Sequence, residues 1–104
     1  MAYEFFPESV AATLPKFYAN EAPGEFREPI AYVKFFTPDS NWTWYASEYN
    51  PETKMFFGLV EGFESELGYF SLEELQSARG PLGLKIERDM YFPETPLSQL
   101  QSYA

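Results

Sequence analysis

The sequence predicts an α+β domain: a mainly antiparallel sheet of four or five strands packed with short helices. Three observations predict it. Between Val33 and Phe70, short apolar–polar alternations are separated by the turn-forming clusters Pro38-Asp39-Ser40-Asn41, Asn50-Pro51-Glu52-Thr53 and Gly62-Phe63-Glu64-Ser65. Alternation with period two marks half-buried strands, and closely spaced turns make them antiparallel neighbours. Ser71 and Glu74 have the spacing of a capping box, a local helix start. Finally, 104 residues suit one hydrophobic core, so 1–104 is read as a single domain, with 1–6 an N-terminal extension and 102–104 a frayed tail.

Pro7-Glu8-Ser9 opens a first helix, because proline and acids both suit a first turn. Val10, Leu14, Phe17 and Tyr18 share one face of it, and Pro15 should end or kink it near Thr13. Residues 20–29, rich in Glu, Pro and Gly, read as an exposed loop. Strands are expected at Ile30–Thr37, Trp42–Tyr49, Lys54–Glu61 and Glu66–Phe70. Closing the turns on paper puts Phe35 opposite Trp44, Tyr49 opposite Lys54, Trp44 opposite Leu59, and Phe57 opposite Phe70. Val33, Phe35, Trp42, Trp44, Ala46, Met55, Phe57, Leu59 and Phe70 then form the core face. The second face collects Tyr32, Lys34, Tyr45, Tyr49 and Tyr69, and the first helix either covers it, the favoured arrangement, or leaves it partly open. A slip of one residue would exchange the faces.

Ser71–Arg79 should be helical, with Gly80 as a left-handed stop and Pro81 blocking continuation. Lys85–Phe92 reads as a fifth strand at an edge, and Thr95-Pro96 starts a short final helix anchored by Leu97 and Leu100.

Composition removes several classes of chemistry. The chain has no Cys and no His. It therefore has no disulfide, no thiolate or imidazole metal ligand, and no Ser-His or Cys-His pair of its own. No catalytic motif, metal-ligand spacing, phosphate-binding loop or cofactor signature is present, so no catalytic residue, metal or cofactor is assigned and an enzyme is not the favoured reading. A net charge of −9 opposes direct binding to a nucleic-acid backbone or an anionic membrane surface and leaves a cationic partner open. Met1–Phe6 lacks the basic start and cleavage site of a signal peptide, and no apolar run reaches the length of a bilayer span, so a soluble, cytoplasmic protein is expected.

Two sets of residues are candidates for binding a partner. Glu61, Glu64, Glu66, Glu73 and Glu74 fall within fourteen residues with no base among them. They read either as a cation site or a docking patch for a basic protein surface, or as a solvated turn and a dipole-matched helix start. Tyr32, Lys34, Tyr45, Tyr49 and Tyr69 are the alternative, since exposed tyrosines give large rigid contact area. Oligomeric state is not legible.

Three runs carry a resemblance: Val33-Lys34-Phe35-Phe36-Thr37-Pro38-Asp39-Ser40-Asn41-Trp42-Thr43-Trp44, Glu66-Leu67-Gly68-Tyr69-Phe70-Ser71-Leu72-Glu73-Glu74-Leu75, and Arg79-Gly80-Pro81-Leu82-Gly83-Leu84-Lys85-Ile86-Glu87-Arg88-Asp89. They resemble a family of small bacterial proteins catalogued as domain of unknown function 2958, over about Ala12 to Leu97. The resemblance brings no activity and no site residue. It implies single-domain intracellular proteins often carried on mobile elements. Together with the acidic charge, it leads to the expectation of a non-catalytic interaction module. One version is an anti-restriction or anti-CRISPR inhibitor whose acidic surface mimics nucleic acid; the alternative is a small carboxylate- and tyrosine-based enzyme or ligand-binding domain.

Overall fold

The computed structural model describes residues 4–16 and 29–100. Every strand pair is antiparallel. After helix α1 (Glu8–Ala11) come β1 (Ile30–Ala31), β2 (Val33–Phe36), β3 (Thr43–Asn50), β4 (Met55–Glu61), β5 (Ser65–Ser71), helix α2 (Leu72–Ser77), β6 (Glu87–Arg88) and β7 (Thr95–Pro96), then a 3-10 turn at Leu97–Gln99. The main sheet has the order β5-β4-β3-β2-β6, and β1 pairs separately with β7.

The first pairing follows the sequence: Phe35 lies opposite Trp44. The central hairpin does not. Its loop has four residues, 51–54, because Lys54 turns back in the left-handed region at φ 58 and its N–H bonds Asn50 O at 2.8 Å. Asn50 opposes Met55, not Tyr49 opposite Lys54 as predicted. The register shifts again between Ala46 and Glu48, where Ser47 is the extra residue of a β-bulge. At the next hairpin, Glu61 opposes Ser65 and Phe56, not Phe57, opposes Phe70.

These steps exchange the faces of β4. Phe56 enters the core and Phe57 leaves it for the second face, which corrects the predicted inward Phe57 and Leu59. Both tryptophans keep to one side, stacked at 5.9 Å, with Trp44 against the main core. Phe56 is the hub of that core. Its ring lies 5.1 Å from Phe6, 5.5 Å from Phe35, 4.8 Å from Tyr49 and 5.2 Å from Phe70. Phe5 adds a further contact to Phe35 at 5.1 Å, and Arg88 donates to the Phe5 and Glu4 carbonyls. Phe5 and Phe6, placed by sequence in an extension, are part of the core.

Both helices cover this face. Val10 and Ala11 of α1, with Leu14 just beyond it, and Leu72 and Leu75 of α2 pack against it, so α1 does not cover the tyrosine side. The second face holds a smaller cluster of Ala31, Leu59 and Leu97, flanked by Tyr45 of β3 and by Phe92 and Leu100 of the returning C-terminal segment. Phe17, Tyr18, the loop at 20–28 and the tail at 102–104 lie outside the described residues.

The helix cap forms in part as expected. Ser71 Oγ accepts from Glu74 N–H at 2.9 Å, while the Glu74 carboxylate meets the Ser71 hydroxyl at 3.2 Å. Ser71 is also the last residue of β5, and Leu72 N–H bonds Lys54 O at 3.0 Å, so α2 starts directly on the central hairpin. The helix stops at Ser77, and the left-handed glycine is Gly83, not Gly80. Gly83 closes a tight hairpin bridged at Arg79 and Lys85, which Asp39 holds by accepting from Leu82 N–H at 2.7 Å. The fifth strand shrinks to Glu87–Arg88 on the edge beside β2.

The bulge carries a prediction. Ser47 is fully buried, and among the described residues its Oγ has no hydrogen-bond partner. A buried hydroxyl without a hydrogen bond costs stability that an apolar side chain does not. Ser47→Ala should leave the melting temperature unchanged or raise it, as followed by far-UV circular dichroism. A clear drop would mean that the hydroxyl has a partner.

Candidate functional site

The β4–β5 hairpin closes over Gly62-Phe63-Glu64, with Gly62 N–H bonded to Glu64 O at 3.0 Å. The Trp42 indole lies flat against Gly62, occupying the space that any side chain there would need. Phe63 meets that indole edge-on at 5.5 Å, yet it is 95% exposed. An apolar ring at the apex of a turn, left in water, is atypical for a connection. Trp42, Val60, Phe63, Glu64 and Glu66 together line a groove of ≈ 300 Å³. Two aromatic rings and two carboxylates thus share one concavity, a combination suited to a guanidinium or ammonium group.

The five predicted acids do not form one patch. Glu64 and Glu66 line the groove. Glu61 lies on the other face of the hairpin end, where it and, more strongly, burial push the Tyr45 phenol above its ordinary pKa. Glu73 and Glu74 belong to the first turn of α2, beyond the opposite end of β5. The five strand residues between Glu66 and α2 hold the two groups roughly 17 Å apart. The tyrosine set divides as well. Tyr49 is buried in the main core and Tyr32 packs against it, whereas Tyr45 flanks the second-face cluster. Lys34 lies across from Tyr45 with its amine 5.9 Å from the Phe36 ring. Tyr69 is 56% exposed beside Phe57 at 5.1 Å.

The sequence singles out Glu64 and Glu66 but not Trp42 and Phe63, which line the same groove. Its alternation puts Trp42 among the core residues. Phe63 offered a signal, since an aromatic residue inside a polar turn has no packing reason to be there.

A second concavity lies at the other end of the sheet. A cleft of ≈ 390 Å³ opens between α1 and the 51–54 loop and is lined by Phe6, Glu8, Leu14, Lys16, Tyr49, Lys54 and Leu72, among others. Among the described residues no group of acids is arranged to hold a metal ion, and no helix is long and apolar enough to cross a membrane.

Fold and groove define a small antiparallel-sheet α+β protein with an acidic, aromatic hairpin tip. A family model described as protein of unknown function (DUF2958) matches residues 6–104, and the chain belongs to that family. No curated protein and no solved structure gives a significant match.

Proposed function

We propose that the protein is a non-catalytic interaction module whose β4–β5 tip docks a basic protein surface. The observation that carries this reading is the groove in which Glu64 and Glu66 stand beside Trp42 and the exposed ring of Phe63. An aromatic anchor with charged neighbours is the composition of an interface hot spot. In its finer form the partner is a nucleic-acid-handling defence protein of restriction or CRISPR type, whose basic channel receives the acidic tip in place of phosphate. The excess of 16 acids over 7 bases supports that form.

The chain has two tryptophans, and both lie on the tip side of the core, so intrinsic fluorescence reads the site directly. An arginine-rich peptide should change that fluorescence saturably, and binding should weaken as salt is added. Neutralising Glu64 and Glu66 together, by Glu64→Gln and Glu66→Gln, should weaken binding about ten-fold, and Phe63→Ser should do the same. Glu73→Gln with Glu74→Gln removes equal charge at the far end and should leave affinity unchanged. Equal losses from both acid pairs would reduce the interaction to net charge and sink the proposal. For the finer form, a purified defence nuclease should lose DNA binding in proportion to added protein.

A further inference from the structure

We infer that the cleft beside α1 binds a small organic anion carrying an apolar body. This site is independent of the hairpin tip, which lies at the far end of β4.

The wall is built by backbone bonds. Pro15 O accepts from Tyr49 N–H at 2.9 Å, which holds Lys16 against the end of β3 where β2 no longer runs alongside. On the other side, Lys54 O accepts from Leu72 N–H at 3.0 Å, which fixes the loop to α2. Phe6, Leu14 and Leu72 give the cleft an apolar lining, and Lys16, Lys54 and Tyr49 give it donors. Its volume is at the small end of ligand pockets, which run from roughly 300 to 1,000 Å³.

The charge arrangement is unusual for this chain. It has only 7 bases against 16 acids, yet two lysines and one carboxylate, Glu8, line this cleft. Glu52 and Glu73 border adjoining concavities, shared with Lys16 and Lys54 respectively. Among the described residues neither amine makes an ion pair or a side-chain hydrogen bond. Burial, and secondarily Glu8, raise the Tyr49 phenol above its ordinary pKa, so it stays a donor throughout the neutral range.

Lys54 supplies the second argument. It sits at φ 58, a region that glycine or asparagine enters more readily than lysine. The hydrogen bonds of the turn are made by backbone atoms and by Asn50 Oδ1, so none of them needs an amine at position 54. The backbone at position 54 shapes the turn, but its amine has no part in the turn, and a lysine kept where glycine or asparagine fits better points to a ligand. A neutral apolar molecule would make no use of the two amines, and a bare inorganic anion would make none of the apolar wall. An amphipathic carboxylate or phosphate ester answers both.

The test is a ¹H–¹⁵N NMR titration with octanoate and with phenyl phosphate, against octanol and inorganic phosphate as controls. Saturable shifts should fall on the amides of Glu8–Leu14, Tyr49–Met55 and Leu72. Lys16→Gln and Lys54→Gln should each weaken binding about five-fold. Lys54→Gly separates binding from folding: its melting temperature should hold or rise while binding falls as in Lys54→Gln. Glu64→Gln with Glu66→Gln should change nothing here. The inference fails if neither anion gives saturable shifts at millimolar concentration, if octanol binds as well as octanoate, or if Lys54→Gly binds like the parent protein.

Discussion

Gly58→Ala should cost the domain at least roughly 3 kcal/mol, enough to leave much of it unfolded on warming. A Cβ at Gly58 would coincide with the carbonyl oxygen of Tyr45 and stand 2.9 Å from its carbonyl carbon and 3.2 Å from Ala46 Cα. These are backbone atoms of the bulged strand, so no rotamer change can make room. Gly68 is the matched control. It lies directly across from Gly58 on β5, and a Cβ there meets nothing within 4 Å. Gly68→Ala should be neutral or slightly stabilising, because alanine loses less backbone freedom in a strand. Urea unfolding of the two variants decides the matter: equal midpoints would mean that β3 and β4 do not approach as described.

Phe56→Ala is the second large effect. Phe56 is completely buried and joins rings from the N-terminal segment, β2, β3 and β5. Truncating a buried phenylalanine costs about 3–5 kcal/mol, and edge-to-face contacts of this kind place it at the upper end. For a domain of this size that corresponds to a fall in melting temperature of roughly 15–30 °C. Phe57→Ala should cost much less, because Phe57 is half-buried on the other face against Tyr69. Calorimetry on the pair tests the register of the whole sheet. If Phe57→Ala were the more damaging, β4 would be slipped by one residue.

That slip is also where reading the sequence reached its limit. The α+β class, the antiparallel order, the Phe35–Trp44 pair and the helix start at Ser71 were legible, because each rests on local chemistry or on alternation within one strand. The face of β4 was not. Met55-Phe56-Phe57 is apolar at every position, so hydrophobicity does not choose between registers. The choice is made by two backbone irregularities, the left-handed Lys54 and the extra residue Ser47. Neither is a glycine, so neither announces itself in the sequence. Tyr49 changed sides for the same reason, and with it the predicted tyrosine surface dissolved. Among the acids, nearness in sequence did not become nearness in space, because Glu66 lies near the start of β5 and Glu73 in the helix that follows its far end. The cleft was invisible for a related reason: Lys16 and Lys54 lie far apart in the chain and come to line one cleft through tertiary contacts such as the Pro15–Tyr49 bond.

The surplus residue in β3 makes that strand's response to length changes one-sided. Deleting Ser47 would leave Ala46 across from Gly58, Glu48 across from Phe57 and Tyr49 across from Phe56, the partners they already have. Inserting one residue in the same place would turn Tyr49 away from Phe6 and Phe56 and present a polar neighbour instead. Natural or engineered variants of this hairpin can therefore shorten by a residue and keep their interior, whereas lengthening has to be confined to the 51–54 loop.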